Sequence, residues 1–169
     1  MLYHRCTKEL DYEVELTVVI GAGGRNIPQD RALSRVFGYT IMNDVTARDL
    51  QKAHTQWFKG KSLDTFGPMG PAIVTADEIP DPQRLRVTTR VNGQVRRSAG
   101  TDTMIFDVAT CIAALSQGLT LEPGDLIATG TPAGVGAATG GLLQVGDVVE
   151  CEITGGLGVL RNRIVAERG

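Results

Sequence analysis

The segment from Asp11 to Ile20 constrains the fold more than any other part of the chain. It reads DYEVELTVVI, a strand-like apolar run that carries Glu13 and Glu15 one residue apart. Successive side chains of a strand point to opposite faces, so the two glutamates share one face. The other face is apolar and comprises Tyr12, Val14, Leu16 and Val18. The segment therefore predicts a strand that lines a core on one side and presents two neighbouring anions on the other.

Two adjacent carboxylates need a positive partner. The Cα atoms of alternate strand residues lie roughly 7 Å apart, which lets both carboxylates reach one point. Left uncompensated at about 4 Å, the pair would cost on the order of 4 kcal/mol at an effective dielectric near 20. Oxygen ligands favour hard cations such as Mg²⁺, Mn²⁺ or Ca²⁺. Asp44, which ends the apolar run 39–42, is a candidate third ligand. A charged sheet edge in contact with solvent is the alternative interpretation.

Composition limits the class of protein. The chain has 169 residues, 42% of them hydrophobic, which suits one domain with a substantial core. The net charge of −2 argues against a nucleic-acid or anionic-membrane surface. No apolar run is long enough for a membrane span, and no signal peptide is recognisable. Three scattered cysteines, Cys6, Cys111 and Cys151, fit a reducing compartment, so we expect a cytoplasmic protein.

Strand patterns outnumber helical ones, which predicts a strand-rich α+β fold with a mixed sheet folded as a roll or sandwich. We expect an amphipathic helix over 29–37 closed by Gly38, a short helix over 46–53, and a helix over 107–117. The Gly- and Pro-rich segment 57–71 is predicted to be a loop, and Asn92-Gly93 a hairpin turn. The arginines of segment 84–97 are interpreted as a solvated face; they are Arg84, Arg86, Arg90, Arg96 and Arg97.

Four motifs, taken together, resemble the fumarylacetoacetate hydrolase family. In the family's order they are DYEVEL at 11–16, NDVTARDLQ at 43–51, KGKSLDTFGP at 59–68 and LEPGDLIATGTPAGVG at 121–136. The resemblance runs from about Lys8 to Ala166 and leaves residues 1–7 as an N-terminal stretch outside it. Residues 8–169 are accordingly expected to form a single catalytic domain of the family's C-terminal type.

The resemblance implies a mixed β-sandwich roll, a homodimer, and a divalent metal held by Glu13, Glu15 and Asp44. It also implies that Lys61 and Thr65 lie near the metal. An ammonium group there would offset negative charge and steady an enolate, although an ordinary loop lysine is the alternative. Gln51 and Thr131 are implied to contact substrate oxygens. We expect Arg48 to orient Asp44 or its helix through a salt bridge.

The family's usual general base and acid are a histidine and a glutamate on a lid segment upstream of the metal-binding glutamates. Only twelve residues precede Glu13 in this chain, so we do not expect that segment within it. His54 is a candidate for a catalytic role, with a solvent-facing or packed helix residue as the alternative.

The resemblance predicts a divalent-metal-dependent hydrolase or isomerase that acts on a small 2-oxo or 1,3-dicarbonyl acid through a metal-stabilised enolate. C–C bond hydrolysis or isomerisation in the degradation of aromatic compounds is the leading expectation. An oxaloacetate-type decarboxylase and a truncated, non-catalytic metal-binding dimerisation module are alternatives. Apolar residues in the 57–71 loop favour a dimer; they are Phe58, Leu63, Phe66 and Met69.

Overall fold

The computed structural model describes residues 1–168, in which short helices connect many strands. In chain order the elements are β1 (Leu2–Tyr3), β2 (Leu10–Asp11), β3 (Val14–Ile20), α1 (Gln29–Ala32), β4 (Val36–Asn43), β5 (Thr46–Ala47), α2 (Arg48–Ala53), α3 (Phe58–Lys61), β6 (Val74–Thr75), β7 (Arg86–Val91), β8 (Gln94–Gly100), α4 (Val108–Leu115), β9 (Leu126–Ala128), α5 (Gly136–Thr139), β10 (Val148–Ile153), β11 (Gly158–Arg163) and β12 (Val165–Ala166).

Two four-stranded antiparallel sheets form the body of the protein. One has the strand order β6-β4-β3-β9 and the other the order β11-β10-β7-β8. β3 and β4 of the first sheet contact β7 and β10 of the second, with a continuous apolar core that includes Val14, Leu16, Val18, Cys151 and Ile153. A parallel pair, β1 with β12, makes the overall strand pairing mixed. The predicted strand-rich α+β sandwich is confirmed.

The segment 11–20 forms two strands, whereas one continuous strand was predicted. Leu10 and Asp11 pair with β5, and the chain pairs with β4 only from Val14 onward. Tyr12 and Glu13 lie between the two pairings. The change of partner brings the start of β3 beside the end of β4 and beside β5, which leads into α2.

The predicted helix over 29–37 is shorter than expected. α1 ends at Ala32, a 3-10 turn follows over Leu33–Arg35, and β4 begins at Val36. Gly38 is a buried residue of β4 and does not end a helix. A Cβ atom there would lie 2.4 Å from the carbonyl oxygen of Val74, so the close pairing of β4 with β6 requires a glycine at this position.

The segment 57–71 is not loop throughout, because α3 lies within it. α3 packs closely on α2 at Gly60, where a Cβ atom would lie 2.8 Å from the backbone nitrogen of Gln51. The absence of a side chain at Gly60 allows this approach. The packing fixes the position of Lys61, the last residue of α3.

The interpretation of the arginine run as a solvated face is wrong for Arg97. Its guanidinium group is buried and donates hydrogen bonds to the carbonyl oxygen of Pro132 at 2.6 Å and to the Thr89 hydroxyl at 3.3 Å. It also lies 5.3 Å from the centre of the Tyr12 ring. Arg97 pairs in register with Thr89, which is buried in β7, and this places its side chain on the inner face of the sheet.

Two local predictions are confirmed. The helix predicted over 107–117 is α4, and the Asp107 side chain caps it by accepting a hydrogen bond from the Thr110 N–H at 2.6 Å. β7 and β8 form a hairpin whose turn residues, Asn92 and Gly93, both have positive φ. None of the helices within residues 1–168 combines the length and apolar character that crossing a bilayer requires.

Candidate metal centre

Three carboxylates meet where β3 begins and β4 ends. Glu13, Glu15 and Asp44 each offer one oxygen, and these oxygens lie within 4.8 Å of one another. The backbone fixes the junction, because the Asp44 N–H donates to the Glu13 carbonyl oxygen at 2.8 Å. The Glu13 N–H in turn donates to the side-chain oxygen of Asn43 at 2.9 Å. The structure thus brings together the three residues chosen from the sequence, and their role as metal ligands stays a prediction.

Lys61 reaches this cluster from the end of α3. Its Nζ atom donates to Oε2 of Glu13 at 2.7 Å and also forms an ion pair with the carboxylate of Asp44. The lysine side chain is only 18% exposed. Burial opposes the charged form, but the hydrogen bonds to Asp44 and Glu13 outweigh it and raise the pKa of Lys61. The ammonium group therefore remains protonated beside the carboxylates.

Arg48, the first residue of α2, lies on the other side of Glu13. Its Nη2 atom donates to Oε1 of Glu13 at 2.5 Å, and Nε donates to Oδ2 of Asp11 at 2.9 Å. Arg48 was expected to orient Asp44 or its helix through a salt bridge; the structure shows salt bridges from the first residue of the helix, but to Asp11 and Glu13 and not to Asp44. The reason is geometric, since Asp11 and Glu13 face the start of α2 while the carboxylate of Asp44 is paired with Lys61.

Glu15 is buried, and within residues 1–168 its carboxylate accepts one hydrogen bond, from a neutral donor. The Gly130 N–H donates to its Oε2 atom at 2.7 Å. Burial raises the pKa of Glu15 to about 7, the Gly130 hydrogen bond opposes this, and the charges of Asp44 and Glu13 add to it. Burial also raises the pKa of Asp44, although its bond to Lys61 works in the opposite direction. Both shifts come mainly from burial, and the negative charge of the neighbouring carboxylates adds to them.

The donor set fits a hard divalent cation. Four carboxylates, those of Asp11, Glu13, Glu15 and Asp44, share this region with two cationic side chains, Arg48 and Lys61. When all six groups are ionised, the excess is two negative charges. All of the triad donors are oxygens, which Mg²⁺, Mn²⁺ and Ca²⁺ prefer over softer metals. A divalent ion would balance this excess, part of which the buried Arg97 also offsets through its interaction with Glu13 and Asp11.

The other predicted site residues lie at different distances from the cluster. Gln51 is joined to it, because its Oε1 atom accepts from Nη1 of Arg48 at 3.1 Å. Thr131 follows Gly130, but its hydroxyl group donates to the Val14 carbonyl oxygen at 2.8 Å. The Thr65 hydroxyl accepts from the Leu2 N–H at 2.8 Å, and no hydrogen bond within residues 1–168 links it to the three carboxylates. His54 directly follows α2 and is exposed, and its Nδ1 atom lies 2.8 Å from the carbonyl oxygen of Leu50 in that helix.

Three contributors to the site were not predicted from the sequence, namely Asp11, Gly60 and the Gly130 N–H. A signal existed for Asp11, since it precedes Glu13 by two residues and so continues the alternation of Glu13 and Glu15. Gly60 and Gly130 gave no comparable signal, because Gly60 acts through its close approach to the backbone of Gln51 and Gly130 through a hydrogen bond to the side chain of Glu15.

Known proteins share this arrangement of elements. The family model described as "Fumarylacetoacetate (FAA) hydrolase C-terminal" matches residues 1–165. Oxaloacetate tautomerase YisK of Bacillus subtilis is 51% identical over 164 residues, which are 96% of this chain and 54% of that protein. The chain therefore spans about half the length of this curated relative.

Solved structures agree with the fold. A fumarylacetoacetate hydrolase from Exiguobacterium antarcticum superposes with a TM-score of 0.91 at 53% identity, over 95% of this chain and 58% of that one. Fumarylpyruvate hydrolase from Pseudomonas aeruginosa, solved in complex with Mn²⁺ and pyruvate, gives a TM-score of 0.90 at 34% identity. That match covers 99% of this chain and 70% of the other. From the family match, the identity to these relatives and the shared fold, we conclude that the chain belongs to the fumarylacetoacetate hydrolase family.

Proposed function

We propose that the chain forms the metal-binding part of an enzyme that acts on a small 2-oxo acid. Glu13, Glu15 and Asp44 would hold the divalent ion, with Mg²⁺ or Mn²⁺ as the leading candidates. The observation that supports this most directly is the meeting of three carboxylate oxygens within 4.8 Å in a region with excess negative charge. A homologue solved with Mn²⁺ and pyruvate is consistent with this pairing of ion and ligand class.

The residues around the triad suit the chemistry of an enolate. A bound divalent ion supplies Lewis-acid polarisation of a carbonyl oxygen. Lys61 holds a second positive charge at the same cluster, where it offsets negative charge that builds up on the substrate oxygen. Gln51 offers amide N–H donors beside the cluster, which suits a substrate carboxylate or keto oxygen.

The reaction we favour is keto–enol isomerisation of a short oxo-diacid of the oxaloacetate type. The 51% identity to an oxaloacetate tautomerase supports this choice. Hydrolysis of a C–C bond in an acylpyruvate, as in the degradation of aromatic compounds, is the second candidate, and the similarity to fumarylpyruvate hydrolase supports it. Decarboxylation of oxaloacetate releases CO₂ and leaves the enolate of pyruvate, whose oxygen the ion and Lys61 would stabilise in the same way, and it remains the third candidate.

Assays of the protein with Mg²⁺ or Mn²⁺ separate these reactions. Loss of the enol absorbance of oxaloacetate reports isomerisation, release of pyruvate from an acylpyruvate reports hydrolysis, and release of CO₂ reports decarboxylation. We expect isomerisation. Glu13→Ala should abolish this activity. Lys52→Met, which removes an exposed ion pair with Glu9, should preserve it. Metal binding without any of the three activities would instead identify a non-catalytic metal-binding module.

We also propose a cytoplasmic homodimer. The three cysteines are free, which suits a reducing compartment. Of the loop residues that favoured a dimer, Phe58 is 76% and Met69 44% exposed, whereas Phe66 packs partly against the core. Exposed large apolar side chains of this kind are typical of protein interfaces. Sedimentation analysis tests the oligomeric state. A monomer at all protein concentrations would contradict the proposal.

A further inference from the structure

Asp11 is a buried carboxylate outside the three proposed metal ligands. Its exposed fraction is 0%, and its two oxygens accept hydrogen bonds from three backbone N–H groups and one side chain. Oδ1 accepts from Tyr12 at 2.8 Å and from Gly136 at 2.7 Å. Oδ2 accepts from Ala137 at 3.0 Å and from Nε of Arg48 at 2.9 Å. A buried anion with four donors is both stabilised and held in one orientation.

The backbone around Asp11 packs closely against its carboxylate as well as donating hydrogen bonds to it. A Cβ atom at Gly136 would lie 2.5 Å from Oδ1 of Asp11, so the start of α5 approaches the carboxylate as closely as a glycine permits. β2, which carries Asp11, is in turn paired with β5 at the entrance to α2. Asp11 therefore provides a fixed acceptor against which the first residue of α2 can be oriented.

Arg48 connects Asp11 to two other side chains of the site. Its planar guanidinium group uses all three nitrogens, Nε on Asp11, Nη2 on Glu13 and Nη1 on Gln51. With Nε fixed by Asp11, the plane of the group determines where the other two nitrogens point. One of them fixes a proposed metal ligand, and the other fixes a proposed substrate contact.

The contact with Gln51 also determines which end of its amide faces the site. An arginine has only donors, so the amide must turn its oxygen toward Nη1. The NH₂ group of Gln51 then points elsewhere, and within residues 1–168 it has no acceptor at hydrogen-bond distance. It is therefore available as a donor to an anionic or carbonyl oxygen of a ligand.

We propose that Asp11 is a positioning residue that, through Arg48, holds Glu13 in place for the metal and turns the NH₂ group of Gln51 toward the substrate. This inference rests on the proposed metal site and extends it. Asp11 contacts neither ion nor substrate, and acts by fixing one guanidinium group that serves both. Metal affinity and substrate recognition are accordingly coupled through Asp11.

The test compares three variants of the whole chain by calorimetric titration with Mn²⁺. Asp11→Asn keeps the shape of the side chain but replaces one of its two acceptor oxygens with an NH₂ group, which faces two hydrogen-bond donors in either orientation of the amide. Arg48→Lys keeps the charge but loses the planar fork. Asp147→Asn is the matched control, since Asp147 also accepts hydrogen bonds from a turn N–H and a side chain, but lies in the turn before β10.

We expect Asp11→Asn and Arg48→Lys each to weaken Mn²⁺ binding about 10–100-fold, and Asp147→Asn to leave it unchanged. At saturating Mn²⁺, KM for the oxo-acid should rise severalfold more than kcat falls. If Asp11→Asn does not fold, Gly136→Ala replaces it in the same titration, because the added Cβ atom would lie 2.5 Å from Oδ1 of Asp11 and displace the carboxylate. Unchanged Mn²⁺ affinity in a folded variant would overturn the positioning role and leave the proposed function standing. Absence of Mn²⁺ binding in the unaltered protein would overturn both.

Discussion

The ammonium group of Lys61 lies 2.7 Å from a carboxylate oxygen of Glu13 and also pairs with Asp44. Two of the three proposed metal ligands therefore share one lysine, which serves as a counter-ion built into the site. The position of this lysine depends on the packing of α3 against α2 at Gly60.

Replacing Lys61 with methionine should lower the stability of the metal-free protein. The variant leaves Glu13 and Asp44 without their shared cation, a loss of about 1.5–3 kcal/mol for hydrogen bonds to charged groups. Added Mg²⁺ or Mn²⁺ should restore more stability to this variant than to the unaltered protein. Urea denaturation with and without the ion measures both effects. Lys52→Met removes an exposed ion pair and should cost less than about 1 kcal/mol. Equal losses in the two variants would show that the Lys61 pair is no stronger than a surface pair.

Replacing Gly60 with alanine should push α3 away from α2. The added Cβ atom would lie 2.8 Å from the backbone nitrogen of Gln51, which cannot move without shifting the helix. We expect a loss of about 1–3 kcal/mol, as for other overpacked sites, together with weaker metal binding. Gly141→Ala is the matched control, because its nearest contact would be 3.4 Å away. A Gly60→Ala protein as stable as the control would contradict the close packing described above.

The candidate metal ligands could be predicted from the sequence because the signals are local. Glu13 and Glu15 follow from the two-residue period of a strand, and Asp44 follows from the end of an apolar run. Their meeting also requires β3 and β4 to be antiparallel neighbours with Val14 opposite Asn43, which this pattern does not dictate. That the three residues meet at one site was predicted only through the resemblance to the family.

Other features depend on contacts between distant segments, and the sequence pattern did not indicate them. Arg97 is buried because β7 and β8 pair with Thr89 opposite it, although an arginine in a charged run usually faces solvent. Arg48 pairs with Asp11 and Glu13 because β2 pairs with β5, which places Leu10 opposite Ala47, the residue before Arg48. Gly38 looked like the end of a helix, but the backbone of β6 approaches it too closely for a side chain.

The cap of α4 predicts a stability difference that depends on pH. The hydrogen bond from Thr110 lowers the pKa of Asp107, so the ionised cap stabilises the folded state. Asp107→Ala should cost about 1 kcal/mol at neutral pH, whereas Asp107→Ser should retain most of the cap. The folded pKa lies below the unfolded value of about 3.9, so this contribution is complete above that pH. It is lost as the pH falls through the folded pKa.

Urea denaturation of the two Asp107 variants at neutral pH and near pH 3 checks this expectation. The difference in the free energy of unfolding between the unaltered protein and Asp107→Ala should be smaller near pH 3 than at neutral pH. A difference that stays constant or widens would show that the charge of Asp107 does not contribute to the cap.

Calorimetric titration with Mn²⁺ tests the central claim most directly, which is that Glu13, Glu15 and Asp44 hold a divalent ion. We predict a single site per chain in the unaltered protein and loss of that site in Glu15→Gln, which keeps the size of the side chain. Glu150→Gln, which alters a glutamate paired with Arg161 in the other sheet, should bind as the unaltered protein does. Absence of binding, or equal affinity in Glu15→Gln and the unaltered protein, would contradict the account.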